Sequence, residues 1–88
     1  MDCWKIDFKR VDKKFRKLDQ QTQRLIIDYL RNRILKADHP TAYGKPLKYD
    51  LKDFWCYRIS NFRLICDIQD HTLTILVLQI GKRDKVYD

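Results

Sequence analysis

The chain has 88 residues, with 19 Lys and Arg against 12 Asp and Glu, a formal charge of +7, and a hydrophobic fraction of 44%. That composition supplies one packed domain over residues 1–88 and excludes collagen-like, linker-like and wholly disordered chains. No apolar run reaches the roughly 18 to 20 residues of a membrane span, and residues 1–10 lack a signal's apolar stretch, so the expectation is a cytoplasmic protein with no membrane partner.

In chain order, Trp4, Ile6 and Phe8 alternate with Lys5 and Asp7, which predicts a strand. The period then changes. Val11, Phe15 and Leu18 recur at helical spacing among six Lys and Arg between Lys9 and Lys17, predicting a short helix with a basic outer face. Asp19 is placed to cap a second, longer helix, whose stripe of Leu25, Ile26, Tyr29, Leu30, Ile34 and Leu35 runs to about Lys36. The short connection predicts an antiparallel helix hairpin.

Asp38-His39-Pro40 and Gly44-Lys45-Pro46 break the helical pattern, leaving a loop with a short edge strand over 47–49. Three strands follow, over 54–59, 62–68 and 73–80, separated by Ser60-Asn61 and by a turn at 69–72. The last is apolar on both faces and belongs inside the sheet. The predicted fold class is α+β: an N-terminal strand, a helix hairpin and a three-stranded antiparallel meander, forming one mainly antiparallel sheet with the helices on one face.

Alternation sorts the side chains of the meander. Trp55, Tyr57 and Ile59 share one face and Phe54, Cys56 and Arg58 the other; Phe62, Leu64, Cys66 and Ile68 oppose Arg63, Ile65 and Asp67. A tight turn at Ser60-Asn61 makes Ile59 and Phe62 opposites and Arg58 and Arg63 the next pair, on one face. Two adjacent guanidinium groups repel unless an anion compensates. That anion is either an internal carboxylate such as Asp67 or a ligand. The tail adds Lys82, Arg83, Lys85 and Tyr87, a cationic run with an aromatic; such a patch suits a phosphate backbone and a stacked base, and equally describes a solvated terminus. The basic first helix offers electrostatic contact with nucleic acid or an acidic partner. Cys3, Cys56 and Cys66 lack metal-ligand spacing and read as small hydrophobes, with no metal and no cofactor expected; His39 and His71 read as surface residues without a positioned partner.

Several stretches together resemble a known family. Gly44-Lys45-Pro46-Leu47-Lys48, Tyr57-Arg58-Ile59, Phe62-Arg63-Leu64, Gly81-Lys82-Arg83 and Val86-Tyr87, in this order, look like the RelE branch of the RelE/ParE toxin superfamily. The resemblance covers essentially the whole chain. It implies the toxin of a type II toxin–antitoxin system, a metal-independent, ribosome-dependent mRNA endoribonuclease in which a ribose 2′-hydroxyl attacks the adjacent phosphate. Its implied partners are a cognate antitoxin, mRNA and the ribosome, with no stable small-molecule ligand. By position it assigns catalytic roles to Arg58, Arg63, Arg83 and Tyr87, with Lys48, Lys52 and Lys82 as substrate-binding residues. Family members carry lysines where this chain has Cys56 and Arg58, and arginine is a poor proton acceptor. The general base is therefore unassigned, with Lys48, Lys52, Lys82 and Asp67 as candidates; Cys56 is either packing or a thiol of lowered pKa. Two alternatives are a ParE-like inhibitor of DNA gyrase and a weakened homologue that only binds its antitoxin.

Overall fold

The computed structural model describes residues 3–49 and 52–82, with the backbone alone for Lys48, Tyr49 and Lys52. Strand β1 spans Lys5–Asp7 and leads through a 3-10 turn, Lys9–Val11, into helix α1, Asp12–Arg16. Helix α2, Gln20–Tyr29, continues directly into a π turn, Leu30–Ile34. After a 3-10 turn at Pro40–Ala42 come β2 (Lys45–Tyr49), β3 (Lys52–Ile59), β4 (Phe62–Gln69) and β5 (Thr74–Lys82). The five strands form one sheet in the order β1-β5-β4-β3-β2, antiparallel throughout except for the β1–β5 pair. This is the predicted α+β arrangement, with β5 inside the sheet. Ile75, Val77 and Ile80 are buried on one face and Leu76 and Leu78 half-buried on the other, and strands on both sides pair with its backbone.

One face of the sheet carries the main core. Tyr57, Ile59, Leu64, Cys66, Ile75, Val77 and Ile80 from the strands meet Val11, Ile26, Leu30 and Ile34 from the helical segments. Ile75 and Val77 point inward in ordinary alternation, and continued alternation would put Gln79 in the core. A bulge prevents this: Cys66 pairs with Val77 and Ile65 with Gln79, so Leu78 is the extra residue and Ile80 turns inward instead. The same shift sets Gly81 opposite Arg63. The other face carries a smaller cluster in which Cys56 and Ile65 pack with Leu47 and Phe54, all of them strand residues.

Three local expectations are corrected. Asp19 stands at the N-cap of α2 but makes no capping hydrogen bond; Gln23 instead closes the connection, its Nε2 donating to the Leu18 carbonyl at 2.8 Å and to that of Arg16 at 3.3 Å. Of the predicted stripe, Ile26, Leu30 and Ile34 are buried while Leu25 and Leu35 are exposed. Residues four apart drift by about 40° per step around an α-helix. The wide turn, closed by Leu35 N–H to the Leu30 carbonyl at 2.8 Å, holds Ile34 in line with Leu30 and leaves Leu35 outside. Third, β2 begins at Lys45, two residues before the predicted edge strand, because Gly44 adopts φ +77 and lets the chain close on β3.

The loop before β2 is tied to the sheet by side chains. Tyr57 hydroxyl donates to the Pro40 carbonyl at 2.7 Å in a buried bond, and Trp55 Nε1 donates to the Tyr43 carbonyl at 2.6 Å. A Cβ on Gly44 would stand 2.5 Å from the Cys56 carbonyl oxygen, so no other residue fits at this approach.

Candidate functional site: a cationic row across the strands

The β3–β4 turn fixes the first two cations. Ser60 takes the left-handed conformation at φ 54, which closes the two-residue connection, and the register pairs Ile59 with Phe62 and Arg58 with Arg63. Directly opposite residues on antiparallel strands have Cα atoms about 5 Å apart. Arg58 and Arg63 therefore share a face, as the pattern predicted. Arg58 is exposed while Arg63 is 8% exposed, so an exposed guanidinium lies beside a buried one. A charge in the drier environment acts on its neighbours more strongly than one in water.

The next row along this face runs from Lys45 on β2 through Cys56 on β3 to Ile65 and Gln79. The Cys56 thiol reports the local field. Burial pushes it up from the ordinary thiol value, and this outweighs the downward pull of Arg63, Arg58 and Lys45. The thiol accordingly stays protonated and packs with Ile65, and the reading of a lowered pKa is set aside. At the edge of β3, Tyr29, Gly44, Lys45, Cys56 and Arg58 line an open cavity of about 280 Å³. Tyr29 reaches it from α2, its ring 6.2 Å from that of Tyr57 and 5.7 Å from the Arg33 guanidinium carbon. A concave surface with a lysine and an arginine on its rim is suited to an anion such as a phosphodiester.

The other predicted residues lie as follows. Lys52 is six residues from Arg58 on the same strand, about 20 Å away, and pairs with Tyr49, while Lys48 pairs with Asp53. Lys82 is exposed across from Phe62, so by register both Lys82 and Lys48 fall on the opposite face of the sheet from Arg58 and Arg63, contrary to the expectation that they bind substrate beside them. Arg83 and Tyr87 fall outside the described residues. Asp67 is four residues along β4 from Arg63, about 13 Å, and accepts a hydrogen bond from Gln69 Nε2 at 3.2 Å. Among the described residues, no group of three or more His, Cys, Asp or Glu side chains is arranged to hold a metal ion.

Two features escaped the sequence reading. An edge strand over 47–49 leaves Lys45 in the loop; β2 in fact begins at Lys45, and its register sets that residue opposite Cys56. His39 does have a positioned partner: its Nε2 lies 2.6 Å from Asp70 Oδ1, and its Nδ1 accepts from the Thr41 amide at 3.2 Å and meets the Thr41 hydroxyl at 2.8 Å. An accepting Nδ1 leaves Nε2–H to donate to Asp70. The pair joins loops 31 residues apart, so no local pattern marks it.

The sequence family described as the ParE toxin of the type II toxin–antitoxin system parDE matches residues 6–87. Among curated proteins none matches significantly. The fold is similar to that of the RelBE2 toxin–antitoxin complex from Mycobacterium tuberculosis, at TM-score 0.76 and 20% identity over 92% of this chain and 91% of that one. It is also similar to the intact Escherichia coli RelBE complex, at TM-score 0.68 and 19% identity over 92% and 96% of the two chains. The isolated Escherichia coli RelE toxin matches at TM-score 0.67 and 17% identity over 97% of this chain and 88% of that one.

Proposed function

This chain belongs to the family of ParE toxins of type II toxin–antitoxin systems, and from the paired arginines on its open sheet face we propose that it is a metal-independent endoribonuclease that cuts mRNA on the ribosome. The observation that carries the reading is the direct pairing of Arg58 with Arg63 on one sheet face, with Lys45 in the adjoining row. Attack of a ribose 2′-hydroxyl on the adjacent phosphate passes through a phosphorane with extra negative charge and yields a cyclic phosphate and a 5′-hydroxyl. Fixed cations stabilise that charge without having to reorganise. Guanidinium groups do not act as bases, and burial keeps Cys56 a neutral thiol, so Arg58 and Arg63 contribute charge stabilisation and positioning while the proton goes to another group. In this reading Arg83 and Tyr87 complete the site, with Lys52 along the path of the RNA backbone. An antitoxin that covers the basic surface with acidic residues is the expected partner.

The test is primer extension on a translated message, with and without ribosomes. Arg63→Ala should lower cleavage about 10²- to 10³-fold, the usual effect of removing one charge-stabilising group, in a chain whose circular dichroism still shows the native fold. Undiminished cutting by both Arg63→Ala and Arg58→Ala would falsify the site.

A second reading, inhibition of DNA gyrase, is favoured by the name of the matching family. It calls for DNA breaks rather than mRNA breaks after expression, and for indifference to Arg58→Ala and Arg63→Ala. Scoring both kinds of break in one induction separates the two readings.

A further inference from the structure

We propose that Lys45 is a substrate-binding residue, contacting the RNA phosphate that follows or precedes the scissile one along the cavity rim. The inference rests on the ribonuclease reading and extends it to a residue that the site was not expected to use. Between Arg58 and the edge of the sheet, the first meander strand carries Cys56, a neutral buried thiol. The register sets Lys45 directly across from Cys56, so an ammonium enters this row from β2. Two further observations agree: Lys45 shares the cavity with Arg58, and its charge is felt at the Cys56 thiol alongside those of Arg58 and Arg63.

The geometry gives the ligand its chemistry. Arg63 on β4, Arg58 on β3 and Lys45 on β2 form a stepped row across three neighbouring strands, with Lys45 and Arg58 diagonal neighbours. Diagonal positions on adjacent strands lie about 7–8 Å apart at Cα, within joint reach of long side chains. Such a row follows an extended polyanion rather than enclosing a single small ion. The turn at Gly44 makes this possible, since a side chain there would collide with the Cys56 carbonyl and push Lys45 out of register.

Cleavage of a translated message is measured for the wild type, Lys45→Ala, Lys45→Arg and Lys5→Ala, each over a range of salt. Lys5, exposed on the opposite edge strand, is the control for simple loss of charge. Lys45→Ala should slow cleavage at least tenfold and make the dependence of log(kcat/KM) on log[salt] shallower by about 0.7, the effect of one lost single-strand phosphate contact. Lys45→Arg should retain both, and Lys5→Ala should change neither. A residue that merely supports β2 would leave the salt slope alone. Wild-type rate and slope in Lys45→Ala overturn the proposal, as does an equal loss in Lys5→Ala. A wild-type chain that cuts no message overturns the ribonuclease reading itself.

Discussion

Cys56 and Cys66 look alike in sequence and occupy opposite faces of the sheet, but both thiols are pushed above their ordinary value of 9.0, chiefly by burial. Tyr57 moves in the same direction from 10.0 for the same reason. A raised pKa in the folded chain means that the unfolded chain gives up its protons first as pH climbs. Stability from these groups is therefore complete below about pH 9 and is lost as pH rises beyond it. Urea unfolding between about pH 8 and about pH 10.5 should show the midpoint falling toward the alkaline end. In the native chain, iodoacetamide should leave Cys56 and Cys66 largely unmodified at neutral pH and label both after denaturation; rapid native labelling of Cys56 would contradict its burial. Alternation alone put Cys56 beside Arg58 and Cys66 in the core. It could not tell which of two opposing influences on Cys56, nearby cations or desolvation, is larger, because that depends on how tightly Ile65, Leu47 and Phe54 close around the thiol.

At the scale of elements, the strands were legible because each has period two, and the Arg58–Arg63 pairing followed from a two-residue turn. The segment from His39 to Gly44 was not, since its conformation is imposed by contacts with residues far along the chain. Tyr57 is the main anchor: fully buried, with its hydroxyl on the Pro40 carbonyl. Tyr57→Phe keeps the ring packed and leaves that carbonyl without its donor, which should cost about 1–3 kcal/mol. Chemical denaturation reads this directly, and a loss well under 0.5 kcal/mol would mean that the loop is held by its other ties. Those ties include the Trp55 bond to Tyr43 and the His39–Asp70 pair. Because this loop delivers Lys45 to its register, Tyr57→Phe should also weaken any activity that depends on Lys45 more than activity that depends on Arg63 alone.

For the molecule as a whole, one core joins the helical segments to β3, β4 and β5, while no separate cluster holds the helices together among the described residues. Helix and sheet should therefore unfold together. Trp4, just before β1, and Trp55, within β3, both pack against this core and serve as fluorescent reporters of it. Far-ultraviolet circular dichroism and tryptophan fluorescence should give coincident urea midpoints, and separated transitions would indicate that the helices unfold independently. The net charge of +7 favours approach to a polyanion over long distance, but it does not choose among RNA, DNA and an acidic antitoxin. That choice belongs to the placement of a few cations, none of which is distinguished by composition.

The order of elements, the faces of the meander strands and the pairing of Arg58 with Arg63 were determined by the sequence itself, because local periodicity and a short turn leave few ways to place them. The bulge at Leu78, the π turn that aligns Ile34 with Leu30, the His39–Asp70 pair and the delivery of Lys45 to Cys56 were decided only in the tertiary structure. Each depends on which surfaces meet after the chain has closed on itself, and such contacts leave no period in the residues that make them.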